Sequence, residues 1–231
     1  MRRVLMLLAF VLLQLSTWMA LTIGRIAGPP ANPDSVVRNI LYAHVPSSIC
    51  ALLCFVALLI SSIGYLCTKK PIWDHIAAAS AEVGAVFATI LNLTGMVFSR
   101  AEWGTWWTPS PRLITSAILW FLYIVYLILR VSFPPSQHRR AQICAVFAII
   151  AFLDVPMVFI SARFIPDIHR PSFSFDSSWQ TGALMLSMAA MALLAFLLIW
   201  LRTDLMKSKT RLEGPQPPFF AAGNPEKESV Y

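Results

Sequence analysis

Long apolar runs and short polar connectors alternate along the whole chain. The apolar runs lie at about 4–26, 47–66, 76–98, 113–129, 141–162 and 179–201. Each is close to the roughly 20 residues that an α-helix needs to cross the hydrocarbon core of a bilayer. The connectors carry helix-breaking or charged residues: Gly28-Pro29-Pro30-Ala31-Asn32-Pro33, then Lys69, Lys70, Pro71, Trp73 and Asp74, then a tryptophan-rich segment from Trp103. Further on, Arg130, Pro134, Pro135, His138, Arg139 and Arg140 form a basic connector, and a loop from Arg163 to about Ser178 contains His169. Pro46 suits the first turn of the second helix, where its missing N–H costs nothing, and this predicts His44 just outside the helix mouth. Pro156 predicts a kink in the fifth run. The pattern therefore predicts an all-α integral membrane protein with six transmembrane helices in one domain over 1–201. A polar tail over 202–231, rich in Pro, Gly and mixed charge, reads as disordered.

Composition agrees with the pattern: 58% of the 231 residues are hydrophobic and 13% charged, against about a quarter charged in soluble domains. The net charge of +7 raises nucleic acid as a partner, but the cations sit in short loops between apolar runs and not on one face of a soluble domain, which excludes it. Arg2 and Arg3 before an apolar run resemble the start of a secretory signal, whose apolar core is about 7–15 residues. This run continues past Trp18 and Met19, so a retained first helix is expected. Cys50, Cys54, Cys67 and Cys144 fall in or beside apolar runs without metal-binding or redox spacing, and read as small packing residues. Lys and Arg also set the orientation. The termini and their side's loops hold Arg2, Arg3, Lys69, Lys70, Arg130, Arg139, Arg140, Arg202, Lys207, Lys209, Arg211 and Lys227. The other loops hold half as many: Arg25, Arg38, Arg100, Arg112, Arg163 and Arg170. Both termini are therefore expected in the cytoplasm.

Candidate chemistry gathers on the opposite, outer side. Trp103, Trp106 and Trp107 crowd three indoles into five residues beside Gly104, Pro109 and Pro111. Such a segment is either an interfacial anchor in the lipid or a flat platform for a planar ligand. His44 and His169 share that side, whereas His75 and His138 lie on the inner one. Neutral imidazoles are good ligands for haem iron, an aromatic shelf covers a porphyrin, and guanidinium forks match its propionates. Arg112 is the first choice for a propionate, with Arg100, Arg163 and Arg170 as alternatives. Within the spans, Glu82 and Asp154 read as protonated carboxyls hydrogen-bonded to neighbouring helices, or else as a passage for protons or haem. Asn92 and Thr94 read as interhelical hydrogen-bonding residues. No nucleophile–base pair or hydrolytic metal spacing appears, so a ligand-handling protein is expected and not an enzyme. The rivals are a transporter or quinone- or small-solute-binding protein and a structural assembly subunit, each with the tryptophans as mere anchors.

His44-Val-Pro-Ser, Trp103-Gly-Thr-Trp-Trp followed by Arg112-Leu113, Glu82-Val-Gly-Ala-Val-Phe and the stretch from Val155-Pro156 through Ser161 to His169-Arg-Pro stand in an order and spacing that covers most of the chain from Asn39 to about Leu201. In these the chain resembles the haem exporter protein C (CcmC) family of cytochrome c maturation. The resemblance implies haem b bound at the outer, periplasmic face of the bacterial inner membrane. It implies His44 and His169 as axial ligands, and Trp103, Gly104, Trp106, Trp107 and Arg112 as the haem-binding loop. It also implies partners: a periplasmic haem chaperone that receives the haem, an ATP-binding cassette (ABC) transporter and a small single-span subunit. Transfer would follow when an acceptor histidine replaces one ligand. Two places depart from the family pattern: Pro109 and Ser110 stand where a further Trp-Asp pair is usual, and Phe164-Ile165 where an aromatic pair is common.

Overall fold

A computed structural model describes residues 2–27, 37–133, 138–164, 175 and 177–212. Regular structure among them is entirely helical: α1 (Arg2–Leu21), a 3₁₀ turn (Val37–Ile40), α2 (Leu41–Thr68), α3 (Pro71–Trp103), α4 (Pro111–Ser132), α5 (His138–Ala151), α6 (Asp154–Phe164) and α7 (Ser178–Leu212). Six segments are long and apolar enough to cross a membrane: Arg2–Leu21, Val37–Thr68, Pro71–Trp103, Pro111–Ser132, His138–Val158 and Ser178–Leu212. The six-span, all-helical expectation holds.

The helix ends differ from expectation for local reasons. The 3₁₀ turn feeds directly into α2 through Ile40, whose φ of −56° and ψ of −22° are already helical. His44 and Pro46 therefore lie within the helix, not at its mouth and first turn, and Pro46 is buried. The fifth run is broken at Phe152–Leu153, four residues before Pro156. A proline has no N–H for the carbonyl four residues back and its ring crowds that carbonyl; the Phe152 carbonyl instead accepts from the Val155 N–H at 3.0 Å. α7 continues beyond the apolar run to Leu212, because neither Gly nor Pro interrupts residues 202–212. Residues 213–231 of the expected tail lie outside the described residues.

The most extensive packing joins α2 to α3, and α3 also meets α4 and α7; α1 lies along α7, α5 against α2 and α6 against α4. The α2–α3 hairpin turns on Lys69, left-handed at φ 56°, whose N–H bonds the Tyr65 carbonyl at 2.8 Å. α3 then presents a stripe of small residues, Ala77, Ala81, Gly84, Ala85 and Ala88, to the core that holds Cys50, Cys54 and Phe55 of α2. Small residues let helices approach closely where lipid, being as apolar as leucine, supplies no hydrophobic drive between them. Gly84 is required by contact: a Cβ there would stand 2.4 Å from the Tyr123 ring. Tyr123 is fully buried, meets Phe55 edge-on at 4.8 Å between centroids, and donates its hydroxyl to the Ala51 carbonyl at 2.6 Å. Cys50, Cys54 and Cys144 are buried free thiols in this core, as expected of packing residues, whereas Cys67 is exposed. Outward faces of the spans carry exposed Leu, Ile, Val and Phe, as along α1 at Val4, Leu7, Phe10, Val11 and Leu15, a surface suited to lipid.

Ion pairs tie the end of the bundle that holds the start of α3. Asp74 accepts a fork from Arg130 at 2.6 and 3.0 Å, and Arg140 approaches the same carboxylate at 3.6 Å. These side chains are only 10–16% exposed. Glu82, expected as a protonated carboxyl, instead accepts a fork from Arg202 of α7 at 2.5 and 2.9 Å. Arg202 can make that bond only because α7 stays helical beyond its apolar run. Arg2 of α1 pairs with Asp204 in the same region.

Two stability measurements follow. Gly84→Ala should lower unfolding stability in detergent by about 1–3 kcal/mol through overpacking, more than the ~1 kcal/mol expected of Tyr123→Phe, which removes only the hydrogen bond. Asp74→Asn should cost about 3 kcal/mol by leaving buried guanidinium uncompensated, and adding Arg130→Met should recover part of the loss. Thermal unfolding of the purified variants reads both.

Candidate functional site

The opposite end of α3 carries the sequence-identified residues. At 1.5 Å per residue, the 33-residue helix puts Trp103 about 50 Å along the axis from Pro71. His44, on the first turn of α2, faces this last part of α3. Its Nδ1 lies 3.0 Å from Thr94 Oγ1, and a Cβ on Gly95 would come within 3.2 Å of His44 Cε1. Thr94 thus acts across helices as expected, whereas Asn92 donates to the Ala88 carbonyl of its own helix at 2.8 Å.

Polar contacts hold the chain segments at this end together. The Ile26 N–H bonds Asn39 Oδ1 at 2.8 Å, the Tyr42 hydroxyl donates to the Gly24 carbonyl at 2.5 Å, and Gln180 Nε2 donates to the Arg25 carbonyl at 3.0 Å. They link the exit of α1 to α2 and α7. Arg38 grips Glu102 with two bonds of 2.5 and 2.8 Å, fastening the 3₁₀ turn to the last turn of α3, beside Trp103.

The tryptophan segment divides into two parts. Trp103 is the last residue of α3, half-buried, with its indole edge-on to Phe98 at 5.9 Å and 83°. Gly104 then stops the helix at φ 74°, its N–H on the Arg100 carbonyl at 3.2 Å. A Cβ on Gly104 would meet nothing within 4 Å, so the left-handed turn, not close backbone approach, explains the glycine here. Ser99, buried in α3, donates to the Thr105 carbonyl at 2.8 Å, the Arg100 guanidinium bonds the Gly104 carbonyl, and Thr105 and Thr108 pair at 3.2 Å. Trp106 and Trp107, on the strapped turn between, are 56% and 40% exposed. Ser110 then caps α4, its hydroxyl accepting from the Leu113 N–H at 3.4 Å, and Pro111 occupies the first helical position. Pro109 and Ser110 thus end the loop and start a helix.

His44, Trp103, Gly104, Trp106, Trp107 and Arg112 therefore gather at one end of the bundle, with α3 as the link: Thr94 holds His44, Phe98 one turn later packs on Trp103, and the loop follows. Arg112 is half-buried in the first turn of α4. His169 and Arg170 lie outside the described residues, and only the backbone of Arg163 is described. Of the arginines at this end, Arg38 serves Glu102 and Arg100 serves the loop backbone, two roles the sequence did not reveal. Asp154 is the first residue of α6, just after the helix break, with one carboxyl oxygen buried and without a hydrogen-bond partner. Its expected partner Glu82 in a polar pathway is taken up by Arg202.

Comparison with known proteins gives a consistent answer. A heme exporter protein C of Bradyrhizobium diazoefficiens is 29% identical over 182 residues, covering 75% of this chain and 68% of its own. The heme exporter protein C of Escherichia coli K12 is 25% identical over 201 residues, covering 85% and 81%. A ccmC-like mitochondrial protein of Marchantia polymorpha is 31% identical over 134 residues, or 58% of this chain, which spans only 56% of that relative. The family model described as heme exporter protein C, CcmC, matches residues 1–214, and the chain accordingly belongs to the heme exporter protein C family.

Proposed function

We propose that this membrane protein binds haem b at the outer, periplasmic face of the bacterial inner membrane and passes it to a haem chaperone during cytochrome c maturation. The excess of Lys and Arg on the termini and their connectors supports the orientation, with the tryptophan loop outside. The observation that carries the reading is the placement of His44 at the same end of the bundle as a strapped loop whose Trp106 and Trp107 indoles are exposed. An indole anchor needs no histidine at its end of the bundle, and a strapped turn keeps two aromatic faces available to a planar ligand.

The residues fit haem by chemistry. His44 supplies an imidazole for the iron, with His169 as the proposed second ligand. Trp103, Gly104, Trp106, Trp107 and Arg112 form the proposed loop contact, Arg112 toward a propionate, where a guanidinium fork matches a carboxylate. Bound iron supplies a coordination position that an acceptor's histidine can take; the chain's own task is to hold and orient. An ABC transporter and a small single-span subunit are the proposed partners within the membrane. The transporter reading loses support, because its central polar pathway needs Glu82 and Asp154 and Glu82 is paired with Arg202.

Purified in mild detergent after expression with ample haem, the protein should carry stoichiometric haem by its pyridine haemochrome spectrum; an empty protein would sink the proposal. His44→Ala and His169→Ala should each alter the haem spectrum and lower cytochrome c yield, and unchanged values for both would remove the ligand assignment. Among the tryptophans, Trp106→Ala or Trp107→Ala should weaken haem binding by ~1 kcal/mol, roughly fivefold, with little change in melting temperature. Trp103→Ala should lower both, since that indole packs on Phe98.

A further inference from the structure

The hydroxyl of Thr94 has three oxygen or nitrogen neighbours and one hydrogen. Its Oγ1 is 2.6 Å from the Ile90 carbonyl and 3.1 Å from the Leu91 carbonyl, both of which only accept. An approach of 2.6 Å between two oxygens without a hydrogen between them is repulsive, so the hydroxyl donates to its own helix, as threonines in helices commonly do. Toward His44 Nδ1, 3.0 Å away, Thr94 is then an acceptor. The histidine must be the donor, and a neutral imidazole that carries its proton on Nδ1 has its lone pair on Nε2.

We infer that Thr94 is a positioning residue that holds His44 in the Nδ1–H tautomer and makes Nε2 the atom that coordinates haem iron. The coordination half of this inference rests on the haem-binding reading above; the tautomer half does not. A ligating imidazole generally gives its other N–H to an acceptor that sets ring orientation and raises ligand basicity. Here the acceptor is a hydroxyl on the neighbouring helix. Gly95 completes the device, since its missing side chain is the space that the ring edge occupies: a Cβ would press on His44 Cε1 at 3.2 Å. Thr94 and Gly95 are adjacent, so a single half-turn of α3 fixes both the tautomer and the plane of the ring. Neither residue touches the iron. Both act through His44.

The test begins on haem-free protein in detergent with ¹⁵N-labelled histidine, using His44→Ala to assign the His44 signals among the four histidines. Long-range ¹H–¹⁵N spectra at a pH where the ring is neutral should show wild-type His44 protonated at Nδ1. Thr94→Val, which keeps the shape and removes the acceptor, should move it toward the Nε2–H form; Thr94→Ser should restore the wild-type pattern. After haem loading, Thr94→Val should bind about tenfold more weakly, the lower end of what loss of such a partner does to metal affinity, and should shift the ferric/ferrous midpoint potential. Thr94→Ser should stay within about twofold of wild type. Gly95→Ala offers an independent variant that should keep the Nδ1–H tautomer and still weaken haem binding. A wild-type His44 protonated at Nε2, or a Thr94→Val protein identical to wild type in tautomer and potential, would overturn the inference. A wild type that takes up no haem while its tautomer follows Thr94 would overturn the haem reading and the coordination half with it, leaving the two failures distinguishable.

Discussion

Close approach of α2 and α3 is the constraint on which the rest depends. In a bilayer, helices gain little from hiding apolar surface, so an intimate pair needs small residues at the contact and shaped neighbours around it. The alanine and glycine stripe of α3 supplies the first, and Phe55 with Tyr123 supplies the second. The consequence reaches the far end of the helices. His44 is on α2 and Thr94, Gly95 and Trp103 are on α3, so the spacing of one helix pair decides whether the imidazole meets the threonine and on which side the indoles emerge. A stability device deep in the membrane is therefore also the positional reference for the surface site.

Charge fixes the two ends of that pair by different means. At the start of α3, Asp74 joins α4 and α5 through Arg130 and Arg140. Near its end, Glu102 joins the 3₁₀ turn through Arg38. Both carboxylates belong to α3 and both partners are arginines, whose planar fork loses less freedom per bond than a lysine would. The Arg38–Glu102 pair stands next to Trp103, so the segment entering α2 and the segment leaving α3 are fastened together two residues before the loop begins at Gly104. This rigidity suits an exposed aromatic surface: two indoles on a turn present one shape only if the turn's ends do not slide.

Fold class and span count were legible because apolar length is a strong signal in a chain with few charges. Helix ends were less so. Pro46 looked like a first-turn proline because sequence does not reveal that a 3₁₀ turn already leads into the helix. Pro156 was read correctly as a disruption, but the break itself lies at Phe152–Leu153, where the missing hydrogen bond falls. The Glu82 ion pair leaves no mark in the sequence because its partner, Arg202, lies beyond the end of the apolar run, where composition reads as a tail. Pairings between residues 56 to 120 positions apart leave no local trace. The same holds for Thr94, whose hydroxyl gains meaning only once α2 delivers His44 to it. The residues gathered at the site were visible as residue types in a row, and the second histidine lies outside the described residues.

The end of the tryptophan loop is set by the start of α4. Ser110 and Pro111 begin α4, so the loop between the two helices is 104–110 and no acidic residue occupies the first turn of α4. A helix start carries partial positive charge from its unpaired N–H groups, and Arg112 adds a full one. Toward a carboxylate-bearing planar ligand this local field is attractive. The cap and the hydrogen bonds from Ser99 and Arg100 also leave the loop few free torsions in which to lose the alignment of Trp106 and Trp107. In the proposed haem-handling role, both effects point to firmer retention of the ligand, and so to release that depends more on an acceptor competing for the iron than on the loop opening by itself.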